Sequence, residues 1–221
     1  MNIIYLIDFN CPYSYIGLER LKKTIESLDL DVEWDMKPFE LETEAGKRPT
    51  ISTAERYAEK HEMSLDDASA KIAEIEQIAL EDGLKINYKD MLLTSSKDAL
   101  RLCKFAQNVH PEIALDLVEK IFYSNLVDNE NIADIKVLTR IAISCGIEES
   151  EAKKILENNY YNIEIYLDKE EALTHGITAT PCFILNLNEE RLIIPGTLST
   201  EEFEIALKDI TSGELAGKTF I

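Results

Sequence analysis

The most constraining feature of this chain is a junction near its start. Ile3 to Ile7 is a short apolar run of the kind buried on both faces of a sheet. After Asp8-Phe9-Asn10 comes Cys11-Pro12-Tyr13-Ser14, and then Leu18, Leu21, Ile25 and Leu28 recur at helical spacing. Asn10 is a candidate N-cap, and Pro12 suits a first helical turn, where its missing N–H has no partner to lose. Val32 to Met36 alternates apolar and polar residues, which predicts a second strand. Strand, helix and strand in this order define a right-handed crossover joining a parallel pair.

A long helical stretch follows. Ala68, Ile72, Ile75 and Ala79 share one face, as do Leu115, Val118, Ile121 and Phe122, and again Ile135, Leu138, Ala142 and Cys145. Ser64, with Asp67 three residues on, resembles a capping box, and Pro111 suits a first turn. Asn158 to Asn162 looks like a break. Beyond Gly176, Phe183-Ile184-Leu185 and Leu192-Ile193-Ile194 flank Asn188-Glu189-Glu190, a hairpin signal. Phe203, Ala206, Leu207 and Ile210 predict a last helix capped by Ser199 or Thr200. The expected order is β-α-β, four to six helices, then β-β-α, with no internal repeat and no glycine-rich phosphate loop.

A cysteine where a buried strand turns into a helix meets unpaired N–H groups and the positive end of the helix dipole, both favouring a thiolate. Ser14 is placed to donate a hydrogen bond to that sulfur. The pattern is also compatible with a cysteine packed as a small hydrophobe. Likewise Pro181, ahead of an apolar strand, reads locally as an ordinary trans strand entry.

Asp8-Phe9-Asn10-Cys11-Pro12-Tyr13-Ser14-Tyr15-Ile16-Gly17 resembles the Asp-x-x-Cys-Pro-x-Cys-Tyr-Ile-Gly opening of DsbA-like oxidoreductases of the FrnE-like group. Glu170 to Leu207, with Gly176-Ile177-Thr178-Ala179-Thr180-Pro181, resembles the same family's ending, and the helical stretch more loosely its insertion. The resemblance implies an α/β thioredoxin fold. Residues 1–41 would form its N-terminal half, 42–173 a large all-helical insertion, 174–212 the C-terminal half and 213–221 a tail. It implies Cys11 as nucleophile with Ser14 beside it, a cis Thr180-Pro181 bond, and Pro12, Tyr13, Thr180 and Pro181 as substrate contacts, Thr180 through its backbone.

Ser14 stands where this family has its second cysteine, so release of a mixed disulfide on Cys11 requires an outside thiol. Cys-Pro-Tyr-Ser-Tyr also differs by one residue from the Ser-Pro-Tyr-Ser-Tyr of 2-hydroxychromene-2-carboxylate isomerases and kappa-class glutathione transferases. The expected function is thiol–disulfide exchange through a single cysteine, on a protein or small-molecule disulfide. No cofactor is expected to be resident; glutathione or another small thiol would be a co-substrate. Glutathione-dependent isomerase or transferase chemistry is one alternative, and a non-catalytic binding module another.

The net charge of −19 argues against nucleic-acid and anionic-lipid partners. No basic leader or long apolar run is apparent, so a cytoplasmic, reducing location is expected. The four cysteines, Cys11, Cys103, Cys145 and Cys182, are too scattered for a disulfide framework or zinc knuckle. Cys103 and Cys145 read as packing residues. Cys182 reads as core-facing, with resolution of Cys11 its alternative role. His61, His110 and His175 lack metal-site spacing and read as surface residues. Glu40, Glu42 and Glu44 read as a solvated loop. Tyr13 and Tyr15 are candidates to line the site, with one of them free to pack beneath the helix.

Overall fold

The computed structural model describes residues 1–213, so all but the first residue of the expected tail lies outside the described residues. The chain runs β1 (Asn2–Ile7), α1 (Pro12–Ser27), β2 (Glu33–Pro38), then α2 (Thr53–His61), α3 (Leu65–Glu81), α4 (Lys97–Val109) and α5 (Ala114–Leu126). It continues through α6 (Ile135–Ser144), α7 (Glu149–Leu156), α8 (Asn162–Thr174), β3 (Cys182–Leu187), β4 (Glu190–Pro195) and α9 (Thr200–Ser212). The sheet order is β2-β1-β3-β4, with β1 parallel to β2 and antiparallel to β3, and β3 antiparallel to β4. This is a thioredoxin fold with helices inserted between β2 and β3.

The central strand explains the apolar run that opens the sequence. Ile3, Tyr5 and Ile7 point into the main core with α1, α9 and the inserted helices, while Leu6 points into a smaller cluster with Phe39, Ala172, Cys182 and Ile184. Strand residues alternate faces, so a strand covered on both sides needs apolar residues at every position. Phe183 and Leu185 of β3 join the main core, and Cys182 and Ile184 the smaller one. The hairpin turns at Asn188 and Glu189, with Leu187 opposite Glu190, and Asn188 takes the left-handed conformation (φ 54°) that Asn tolerates better than most residues.

The chain departs from expectation at two helix ends and in the helix count. Cys11 itself, not Asn10, is the N-cap of α1, and Pro12 is the first helical residue. Asn10 turns inward instead, donating from Nδ2 to the Thr94 carbonyl at 2.8 Å. Pro111 opens a short 3-10 turn, Pro111–Ile113, and α5 starts at Ala114. Seven α-helices, not four to six, lie between β2 and β3. The least legible is α2, whose one buried residue is Thr53. It is set by a capping box between Ser52 and Glu55, not by an apolar stripe. Ser64 and Ser199 cap α3 and α9, accepting from Asp67 N and Glu202 N.

Gly17 sets how closely α1 lies on β3. A Cβ there would stand 2.8 Å from Thr197 Oγ1 and 3.0 Å from the Phe183 ring. Phe183 is fully buried and held edge-to-face by Phe203, with ring centroids 5.6 Å apart, so it cannot yield cheaply. Gly17→Ala should therefore destabilise the fold by roughly 1–2 kcal/mol, even after a gain of about 1 kcal/mol in helix propensity. Thermal unfolding checks this: a Tm lowered by several degrees is expected, and an unchanged Tm would refute the close approach.

Candidate functional site

The site is built at the carboxyl end of β1, where open α/β sheets place a helix N-terminus next to a loop. Asp8 begins it. Its carboxylate is fully buried, and it accepts hydrogen bonds from Asn10 N (Oδ1, 3.0 Å) and Leu41 N (Oδ2, 2.6 Å). One side chain thus ties the turn after β1 to the segment after β2. The Asp8 carbonyl accepts from Cys11 N at 3.0 Å, and the Cys11 carbonyl from Ser14 N at 3.0 Å, which closes the first turn of α1.

Thr180 and Pro181 arrive from the far end of the sequence, joined by a cis peptide bond, immediately before β3. The Cys11 thiol donates to the Thr180 carbonyl at 3.5 Å. The Ser14 and Thr180 hydroxyls are buried without a nitrogen or oxygen partner, and both side chains act on the Cys11 sulfur in the sense that favours a thiolate. Cys11 is 8% exposed and forms part of the wall of a cavity of about 320 Å³.

The expectation of a depressed thiol pKa is not met. Burial is the largest influence and pushes the Cys11 thiol up; the hydroxyls of Thr180 and Ser14 and the helix-end N–H pull the other way without overcoming it. The negative field of Asp8 adds to the rise. A helix N-terminus helps a thiolate by an amount that desolvation can exceed, so position alone does not fix the sign.

Of the sequence candidates, Cys11, Pro12, Tyr13 and Thr180 line the cavity, Ser14 lies beneath it and Pro181 is buried behind Thr180. Tyr15 packs under the helix, stacked on Phe122 with centroids 5.2 Å apart. Cys182 does not line the cavity; its neighbours are the smaller apolar cluster, and burial pushes its thiol up to about 11. Cys103 and Cys145 are buried in the helical core.

The sequence reading missed the opposite wall, formed by Tyr57, Arg56, Lys60 and His61 of α2 with Tyr88 and Met91. It also misread Glu42 as solvated. Glu42 is buried, accepting from Arg56 Nε at 2.9 Å and Lys60 Nζ at 2.8 Å, and these cations hold its carboxyl below the usual range against the opposing effect of burial. Glu40 is half-buried, and its carboxyl is pushed up by burial and by Asp8; Glu44 is exposed as expected. A signal for Glu42 existed in the basic residues Arg56 and Lys60 at i, i+4, but nothing local linked them to it. Among the described residues no three His, Cys, Asp or Glu side chains are grouped to hold a metal ion, and no helix is long and apolar enough to cross a membrane.

Strand-helix-strand, a helical insertion, strand-strand-helix, and a cysteine at the first helix against a proline loop define the DsbA-like class. The chain belongs to that family: it matches the DSBA-like thioredoxin domain over residues 2–208. The "probable DsbA oxidoreductase" of Streptomyces coelicolor is 25% identical, with a TM-score of 0.86 over 100% of this chain and 94% of that one. A 2-hydroxychromene-2-carboxylate isomerase shares the fold at 14% identity and a TM-score of 0.63, covering 98% of this chain and 96% of that one. So does the cytosolic disulfide reductase DsbM of Pseudomonas aeruginosa, solved with GSH, at 14% identity and a TM-score of 0.63 over 98% of this chain and 100% of that one.

The raised thiol pKa has a direct consequence. Alkylation of Cys11 by iodoacetamide should still be rising with pH at the ordinary thiol value of about 8.5, because the thiolate fraction grows as pH climbs toward the shifted pKa. Ser14→Ala should move the midpoint further up by removing a hydroxyl that favours the thiolate. A plateau already reached near neutral pH would contradict this electrostatic account.

Proposed function

We propose that this protein is a thiol–disulfide oxidoreductase that works through Cys11 alone and is turned over by an external small thiol. The observation that carries the reading is the content of the cavity. It holds one thiol, Cys11, against the Thr180 carbonyl, while Ser14 stands at the position of the family's second cysteine and Cys182 is buried elsewhere.

In the first step the Cys11 thiolate attacks one sulfur of a substrate disulfide. A bond forms from Sγ to that sulfur, the substrate S–S bond breaks, and the departing thiolate leaves with the electron pair and takes up a proton. In the second step the thiolate of glutathione or a similar compound attacks the mixed disulfide, Cys11 leaves with its electrons, and the small thiol ends in a disulfide with the substrate fragment. When that fragment is itself glutathione, the cycle is deglutathionylation. Backbone groups of Thr180 and the rings of Pro12 and Tyr13 hold the extended substrate beside Cys11.

The burial that raises the Cys11 thiol supports one direction of exchange over the other. A cysteine with a raised pKa is a good nucleophile once ionised and a poor leaving group, so its mixed disulfide is favoured over its free thiolate. Strong oxidants of this fold depend on the opposite, a thiolate stabilised in the reduced form. Cys11 therefore suits reduction and exchange, in a reducing compartment such as the cytoplasm where thiol is supplied.

Insulin reduction with and without glutathione tests the proposal. The natural protein should depend on glutathione, and Cys11→Ser should be inactive. Ser14→Cys should complete one turnover per molecule without added thiol, since sulfurs at these two positions can approach to about 2 Å. Full activity of the natural protein without glutathione, or of Cys11→Ser with it, would overturn the single-cysteine mechanism. Tight glutathione binding with no turnover of any disulfide would point instead to isomerase or transferase chemistry.

A further inference from the structure

The chain carries a net charge of −19, yet the wall facing Cys11 has the opposite sign. The charged side chains on that wall are Glu42, Arg56 and Lys60; two positive charges against one negative leave a net positive charge in the cavity. Glu42 holds both cations in place. Its Oε2 accepts from Arg56 Nε and Nη2, and its Oε1 accepts from Lys60 Nζ. Three of the five guanidinium N–H groups and two of the three ammonium N–H groups remain after these bonds. Arg56 Nη1 is 3.9 Å from Glu59, a carboxylate that is 64% exposed and so screened by solvent. The hydroxyls of Tyr13, Tyr57 and Tyr88 belong to residues of the same cavity, whose apolar floor includes Met91 and Ile75.

Resting on the single-cysteine reading, we infer that the small thiol serving this site is one that carries a carboxylate. The remaining donors of Arg56 and Lys60 hold the carboxylate while its sulfur faces Cys11. The cavity, about 320 Å³, suits a compound of a few residues' size and no larger. A cation of either residue alone on an exposed surface would be worth little, but two cations fixed by a buried carboxylate need no reordering when an anion arrives. The surrounding acidic surface works against anionic thiols everywhere else, so the pair acts as a local selector as well as a holder. Glu42 is a positioning residue here, acting through the cations it orients.

The test uses the reaction of free Cys11 with symmetrical disulfides of differing charge. Cys11 thiolate plus R–S–S–R gives Cys11–S–S–R and RS⁻, the new S–S bond replacing the old one and the released thiolate taking up a proton. The probes are 3,3′-dithiodipropionate (anionic), 2-hydroxyethyl disulfide (neutral) and cystamine (cationic). Adduct formation on the Cys11 peptide is followed by mass spectrometry, and each rate is divided by that of 1-thioglycerol, a neutral thiol distinct from all three probes, with the same disulfide to remove intrinsic reactivity. The anionic probe should exceed the neutral one by about tenfold or more, the low end of what a focused field supplies, and the cationic probe should be slowest. The advantage should shrink as salt is raised.

In Arg56→Gln/Lys60→Gln the anionic rate should fall to the neutral one, which should itself stay within about twofold. Adding Glu42→Gln removes the carboxylate those substitutions strand, and the loss should persist. Equal normalised rates for anionic and neutral probes in the natural protein would overturn the inference and leave the single-cysteine mechanism standing. Failure of Cys11 to react with any of the three would instead remove the mechanism on which it rests.

Discussion

The site depends on a buried carboxylate. Asp8 sits fully buried at the end of the central strand, and it accepts from two backbone N–H groups, those of Asn10 and Leu41. A buried charge of this kind is tolerable only where hydrogen bonds replace its hydration, and even so burial pushes its carboxyl up. The return is geometric. The bond to Asn10 shapes the turn that delivers Cys11 to the helix start, and the bond to Leu41 brings in the segment that carries Glu42. Through Glu42 that segment fixes Arg56 and Lys60, so both walls of the cavity hang on one side chain.

The same burial decides the character of the nucleophile. A buried thiol near a carboxylate resists ionisation; the two hydroxyls and the helix end moderate this without reversing it. An arriving substrate or small thiol meets a protonated Cys11 donating to the Thr180 carbonyl. In the single-cysteine mechanism we propose, such a cysteine holds its adduct once formed, because with serine at position 14 and Cys182 on the other face of the sheet there is no second thiol in the cavity to release it.

The elements with their own apolar periodicity were legible from sequence. Strand β1, helices α1, α3, α5 and α6 and the closing β-β-α unit each carry the residues that bury them. Helix α2 was not legible, because its stability comes from a capping box and ion pairs and one face is nearly all solvated. Glu42 illustrates the same limit: a carboxylate in an acidic run reads as surface, and its burial depends on partners 14 and 18 residues away. The meeting of Cys11 with Thr180, 169 residues apart, has no local signal at all and came into view only through resemblance to a family. That resemblance singled out Cys11 but not its protonation, which is a property of this chain's own packing.

Equilibration of the protein in glutathione buffers of varied reduced and oxidised ratio, followed by peptide mapping, addresses the single-cysteine account most directly. The account predicts one glutathione per chain, attached at Cys11, fully removed by excess reduced glutathione, with Cys103, Cys145 and Cys182 unmodified throughout. An intramolecular disulfide joining Cys11 to Cys182, or a Cys11 that stays free while another cysteine takes the glutathione, would contradict it.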